Sequence, residues 1–160
     1  MSLSNIMKKE FATKLYAMMK SNQNIWLLTA DLGYGIFDDI RKDFPDRFIN
    51  YGSAEFAMLC TAVGLTLAGK VVICYSITPF LIYRGFEVIR NYIDYEKIPV
   101  ILVGAGRNKD YSTLGFTHWA SDDRRFMNCF YNIKKYWPEN LDHLEDIINS
   151  GLPTYLNLRR

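Results

Sequence analysis

Gly69-Lys70-Val71-Val72-Ile73-Cys74-Tyr75-Ser76-Ile77-Thr78-Pro79 decides the fold. Val71 to Tyr75 is an unbroken apolar run, the most strand-like in the chain, with none of the polar alternation of a half-exposed sheet. On its N-terminal side, Ala54 to Leu67 is rich in good helix formers and meets Gly69, a helix C-cap. On its C-terminal side the spacing predicts a long helix from Pro79 to Tyr95, with the proline where a first helical turn tolerates it. A strand between two helices is the repeat of a βαβ unit.

The same alternation extends outward. Helical spacing of Phe11, Leu15, Ala17 and Met18 predicts a first helix over Ile6 to Met19, and Asn24 to Ala30 reads as a strand buried on both faces. Asp31-Leu32-Gly33 is a polar turn, a short helix over Phe37 to Lys42 stops before Pro45, and Phe48 to Tyr51 is a short strand. Pro99 to Val103 is a further buried strand leading into Gly104-Ala105-Gly106. Beyond it we expect a helix over Ser121 to Cys129, with Asp122 and Asp123 complementing its dipole in the first turn. A strand over Ile133 to Trp137, a helix over Leu141 to Asn149 and a closing strand over Thr154 to Leu158 complete the series. The fold class is therefore α/β, a three-layer sandwich with a mainly parallel sheet between helices. Such sheets place ligands beyond the carboxyl ends of their strands. The segments after Ala30, Tyr51, Tyr75 and Val103 are where chemistry is expected.

Composition narrows the function classes. The 160 residues fit one domain, with 49% apolar and 22% charged residues and a net charge of only +2. No basic block longer than a pair occurs, so neither a nucleic-acid footprint nor a polybasic membrane patch is indicated. Cys60, Cys74 and Cys129 are far apart and form no CxxC or Cys/His cluster, which favours free thiols in a reducing compartment over zinc. Met1 to Asn5 shows no charged region followed by an apolar run, and no apolar stretch approaches a membrane span. A cytoplasmic domain is the expectation.

Three post-strand segments stand out. The first, Tyr51 to Met58, puts Glu55 one residue into a helix among small and apolar neighbours; a favourable acidic residue in a first turn is the plain alternative. The second runs from Tyr75 through Pro79-Phe80 to Arg84, Arg90 and Asn91. The third joins Gly104-Ala105-Gly106 to Tyr111-Ser112-Thr113-Leu114-Gly115-Phe116-Thr117-His118.

In this order and spacing, these segments resemble the pyrimidine-binding domain of transketolase-type thiamin diphosphate enzymes. The carriers are Asp31-Leu32 after the first strand, and Phe44-Pro45-Asp46-Arg47-Phe48-Ile49-Asn50-Tyr51-Gly52-Ser53-Ala54-Glu55, matching the family's FP-x-RF-x-N-x-G-x-x-E block. Gly115-Phe116-Thr117-His118 matches its G-x-TH element, and Gly151 to Leu158 its closing strand. The likeness runs from about Phe11 to Leu158 and is nearest to split transketolases, whose two halves are separate polypeptides.

The resemblance implies the site roles. Glu55 would be the activating glutamate, hydrogen-bonded to a pyrimidine nitrogen of thiamin diphosphate so that the cofactor's own amino group can take the thiazolium proton. Phe80 would supply the surface on which the pyrimidine stacks, with Ile77 and Tyr83 beside it; core packing is the competing role for Phe80. Asp31 would balance positive charge near the thiazolium, or simply form a turn. His118, one of two histidines with His143, would face substrate oxygens. Arg84 and Lys8 are candidates to meet a sugar phosphate, with solvated surface charge as the alternative. No GDG motif occurs in the chain, so a diphosphate-binding (PP-domain) partner would supply the diphosphate site and its Mg or Ca ion. A homodimer or heterotetramer acting on a small sugar substrate follows by the same resemblance.

The chain also departs from the pattern. Gly106 or a neighbour replaces a family histidine, Leu114 an acidic residue, and Trp119 a second histidine. Two-carbon ketol transfer is the leading activity. A 2-oxo acid decarboxylase subunit, a 1-deoxyxylulose-phosphate-type synthase subunit and a noncatalytic scaffold are the alternatives. A flavodoxin-like signalling domain fits poorly, because Ser76 and Gly104 stand where its acids and lysine would be needed.

Overall fold

The computed structural model describes residues 6–160, so the reading of Met1 to Asn5 lies outside the described residues. Helix α1 (Ile6–Ser21) leads to β1 (Ile25–Thr29), α2 (Asp38–Asp43) and β2 (Phe48–Asn50). Helix α3 (Glu55–Leu67) connects to β3 (Val71–Ile77), and α4 (Thr78–Arg84) follows without a loop. A turn of helix α5 (Phe86–Val88), a π-helical segment (Ile89–Tyr95) and β4 (Ile101–Ala105) come next. Helix α6 (Asp123–Met127), β5 (Lys134–Tyr136), α7 (Leu144–Ile148) and β6 (Thr154–Leu158) complete the order.

The six strands form one sheet in the order β2-β1-β3-β4-β6-β5. Every neighbouring pair is parallel, so the sheet is wholly rather than mainly parallel. Side chains alternate between two cores. Leu28, Val72, Cys74, Leu102 and Tyr155 face the layer that contains α3, α4 and α6. Leu27, Ile73, Tyr75, Val103 and Leu156 face the layer that contains α1, α2 and α7. This is why the strands read as continuous apolar runs. Chain direction reverses between β1 and β3, since β1 leads outward to β2 whereas β3 leads to β4. That switch point is where a doubly wound sheet opens a crevice at its carboxyl edge.

Two expected helices are corrected. The helix predicted over Pro79 to Tyr95 is broken at Gly85 and continues as a π-helical segment. A Cβ at Gly85 would collide with Leu59 Cδ1 and lie 2.8 Å from the Leu81 carbonyl, so the missing side chain lets α4 close onto α3. The helix predicted over Ser121 to Cys129 shortens to α6, and Asp123 does not serve as a solvated first-turn charge. It is buried, and its Oδ2 accepts hydrogen bonds from Trp137 Nε1 (2.7 Å), Tyr155 OH (2.9 Å) and Asn157 Nδ2 (2.7 Å).

Lys8 is not a solvated surface charge. It is 5% exposed on α1 and donates from Nζ to Tyr111 OH at 2.7 Å, beneath the segment that follows β4. Burial lowers its pKa from 10.5 to about 8, with Arg160 adding to the shift and Asp110 opposing it. Between those two values the unfolded chain holds more of this proton than the folded chain, so the site's contribution to stability rises with pH across the window. The stability of the natural chain relative to Lys8→Met is therefore expected to climb between about pH 8 and pH 10.5 in chemical denaturation. A flat difference would contradict the burial of this ammonium.

Gly104 provides a second test of the packing. A Cβ there would stand 2.6 Å from Thr78 Oγ1 and 3.4 Å from Thr78 Cα, and that hydroxyl is already fixed by donating to the Gly106 carbonyl at 2.7 Å. Gly104→Ala should destabilise the chain by about 1–3 kcal/mol in denaturant titrations. An unchanged midpoint would mean that β4 and α4 do not approach so closely.

Candidate functional site

Glu55 is the first residue of α3, and the buried residues Met58, Leu59, Ala62 and Val63 continue its stripe along the helix. The spacing i, i+3, i+4, i+7, i+8 is that of a core-facing helix side, so the carboxylate stands at the top of an apolar face. Only 2% of the residue is exposed. Burial of a carboxylate requires partners, and both oxygens have one. Oε1 accepts from the Ser76 hydroxyl at 3.1 Å, and Oε2 accepts from Arg84 Nη1 at 2.7 Å. Beside its small and apolar neighbours along the helix, the carboxylate therefore has a hydroxyl and a guanidinium as partners.

The segments that present Glu55 are shaped by the block preceding it. Arg47 donates to the carbonyls of Met19, Asn22 and Ile25 and lies over the Phe44 ring, fastening the end of α1 to β1. Asn50 Oδ1 accepts from the backbone N–H groups of Asp31 (3.0 Å) and Gly52 (2.9 Å), joining the turns after β1 and β2. The residues of a recognisable sequence block therefore build the frame around a single carboxylate.

The structure brings three of the expected site residues together. Arg84, one helical turn beyond Phe80, carries its guanidinium 4.2 Å from the Phe80 ring centroid while bonding Glu55. The Phe80 and His118 rings meet edge to face at 4.8 Å, and both side chains are half-buried. Glu55, Phe80 and His118 are thus joined in one chain of contacts through Arg84. Thr117 Oγ1 lies 3.1 Å from His118 Nδ1, in the 3₁₀ turn Phe116–His118. A neutral imidazole that accepts there presents Nε2–H away from Thr117.

The remaining candidates sit around this group in different ways. Ile77 is half-buried at the last position of β3, immediately before the turn that carries Phe80. Tyr83 turns toward α6, donating to Asp122 Oδ1 at 2.5 Å and packing edge to face on Phe126 at 4.8 Å. Burial first, and the Asp122 hydrogen bond second, raise the Tyr83 phenol above its ordinary pKa. Asp31 occupies the turn after β1 with φ +45°, where its Oδ1 accepts from Tyr34 OH at 3.1 Å. It shares the sheet edge with Glu55, but among the described residues no hydrogen bond joins the two.

Two further neighbours of this group differ in how far the sequence reveals them. Ser76 is legible in principle, because it follows Val72 and Cys74 on the α3 side of β3. The Asp123–Asn157–Thr78 network is not. Asn157 Nδ2 donates to Asp123 Oδ2 and lies 3.3 Å from Thr78 Oγ1, tying β6 and α6 to the turn before Phe80.

A plane, a hydrogen-bonding carboxylate and an imidazole at one crevice suit a flat heteroaromatic ring. The side chain now meeting the first two is itself planar, cationic and rich in N–H donors, so these residues fit an aminopyrimidine. Among the described residues, no group of three or more His, Cys, Asp or Glu is placed to hold a metal ion.

Comparison with known proteins bears on this geometry. The family described as transketolase, pyrimidine binding domain, matches residues 6–152. A subunit of the apulose-4-phosphate transketolase of Actinobacillus succinogenes is 35% identical over 121 residues, covering 73% of this chain and 39% of that protein. A protein named as a putative transketolase C-terminal section, from Methanocaldococcus jannaschii, is 31% identical over 159 residues, covering 96% of this chain and 50% of that protein. A solved split-gene transketolase, described as an inactive beta4 tetramer, superposes with a TM-score of 0.81 at 27% identity over 94% of this chain and 50% of that one. The chain thus spans half or less of these relatives' length. It belongs to the transketolase pyrimidine-binding domain family.

Proposed function

We propose that the chain is the pyrimidine-binding subunit of a split transketolase-like enzyme, transferring a two-carbon ketol unit between sugars or sugar phosphates. The observation that carries this reading is the buried Glu55 carboxylate at the switch-point crevice, next to Phe80 and His118. When bound, thiamin diphosphate supplies the electron sink that makes carbon–carbon cleavage next to a carbonyl possible. Each residue then has a task suited to its place. Glu55 would exchange a proton at Oε2 with a ring nitrogen of the bound cofactor, while Ser76 keeps Oε1 hydrogen-bonded. Phe80 would give the ring a surface to lie on, with Ile77 at the end of β3 just before the same helix and Tyr83 bracing that helix against Asp122. His118 donates from Nε2 to a substrate oxygen or carries a proton to it. Asp31 places negative charge at the turn after β1, on the side of the crevice where a cationic ring would be balanced.

The diphosphate and its Mg or Ca ion are assigned to a PP-domain partner polypeptide, with a homodimer or heterotetramer as the assembly. The relatives that carry subunit or section names support a split enzyme. Among the described residues no helix is long and apolar enough to cross a membrane. A cytoplasmic setting is part of the proposal, in keeping with three widely separated cysteines that form no CxxC pair.

Glu55→Gln tests the assignment. In the assembled complex this change should lower the ketol-transfer rate by on the order of 10²–10⁴-fold, the usual contribution of a positioned proton-transfer group. The exchange of the cofactor's thiazolium proton, followed by NMR, should slow in parallel. Full activity in the variant would remove Glu55 from the chemistry. Release of carbon dioxide from a 2-oxo acid would instead identify a decarboxylase or a deoxyxylulose-phosphate-type synthase.

A further inference from the structure

We propose that Arg84 is a built-in placeholder for the aminopyrimidine, and that its departure is a step in forming the active site. The inference rests on the pyrimidine-binding role of Glu55 and Phe80. One side chain occupies both groups at once. Its Nη1 donates to Glu55 Oε2 at 2.7 Å, and its Cζ lies 4.2 Å from the centre of the Phe80 ring. These are the two contacts that a stacked, hydrogen-bonding heterocycle would need. A guanidinium can make both because it is planar and offers N–H donors in its own plane. A pyrimidine cannot take the same hydrogen bond and the same ring face while Arg84 remains there.

The pairing also has a reason in the burial of Glu55. Glu55 is almost wholly buried, and a buried carboxylate deprived of a partner is strongly unfavourable. Arg84 is its only charged partner among the described residues, and it is 45% exposed, lying on the solvent side of the carboxylate. Its long side chain can therefore swing outward without disturbing the core, leaving its hydrogen bond to be replaced by the incoming ring. Phe80 and Arg84 share one face of α4, spaced by one turn, so the helix need not move. Exchange of the guanidinium for the ring keeps Glu55 partnered provided one proton is taken up from solvent, on Oε2 or on the ring nitrogen, because a neutral pyrimidine nitrogen accepts rather than donates. The cost is competition, since an occupied site lowers the apparent affinity by the fraction of chains in which it is free.

The test uses the full chain, titrated with thiamin to millimolar concentration and followed by NMR. In the natural chain, thiamin should move the Arg84 guanidinium signal to the position of a solvent-exposed arginine as the Phe80 ring signals shift. Arg84→Ala should bind thiamin about tenfold more tightly, the loss of one competing charge-assisted hydrogen bond. Equal or weaker binding by Arg84→Ala would overturn the placeholder and leave the pyrimidine site standing. An Arg84 signal that stays in place while thiamin binds would do the same, and that measurement needs no substituted protein. Failure of both forms to bind thiamin would overturn the pyrimidine site and the placeholder together.

Discussion

A carboxylate taken almost completely out of water must be partnered, and the arrangement around Glu55 follows from that constraint. The residue heads the buried stripe of α3, where the helix would otherwise present an apolar side chain to β3. Ser76 at the end of β3 and Arg84 at the end of α4 supply its two partners. Each depends on backbone placement elsewhere. Ser76 requires the register of β3 beside β1 and β4. Arg84 requires α4 to lie close against α3, which Gly85 permits by leaving room for Leu59. A polar group that could be lost from a helix face without harm is here the point on which three elements converge.

Support for this group comes from both sides of the crevice. On one side, Arg47 and Asn50 use carbonyl and N–H groups of α1, β1 and the following turns to fix the entry to α3. On the other, Asp123 collects the polar ends of Trp137, Tyr155 and Asn157, and Thr78 links that cluster to Gly106 and to the turn that carries Phe80. Polar networks of this kind are costly when incomplete and rigid when complete. Asn157 Oδ1 is buried without a partner among the described residues, so the network retains one unused acceptor. The half-buried Phe80 thus follows a turn whose polar anchors lie below the surface.

Much of this is written locally in the sequence. The four central strands announce themselves because a sheet covered on both faces needs apolar residues there, whereas the edge strands β2 and β5 are shorter and partly exposed. Glu55 is legible as the single acidic residue in an apolar helical stripe, and the family block around Phe44 to Glu55 strengthens that reading. What the sequence conceals are partnerships set by packing. Nothing local says that Arg84 pairs with a residue 29 positions away or that Lys8 buries against Tyr111, 103 positions away. The break at Gly85 and the π-helical turn beyond it are also hidden, because Pro79 to Tyr95 has an unremarkable helical pattern and the interruption answers to Leu59 on another helix. Asp123 misleads for the same reason: an acid in a first helical turn suits the dipole, and only the arrival of β6 turns it into a buried acceptor.

We propose that this chain contributes the pyrimidine half of an active site whose diphosphate half lies outside these 160 residues. Calorimetric titration of thiamin diphosphate with magnesium tests it most directly, on the chain alone and on the chain mixed with its diphosphate-domain partner. The account predicts tight binding by the mixture and none of comparable strength by the chain alone. Equally tight binding by the isolated chain would contradict it, because the diphosphate and metal would then have a site within these 160 residues.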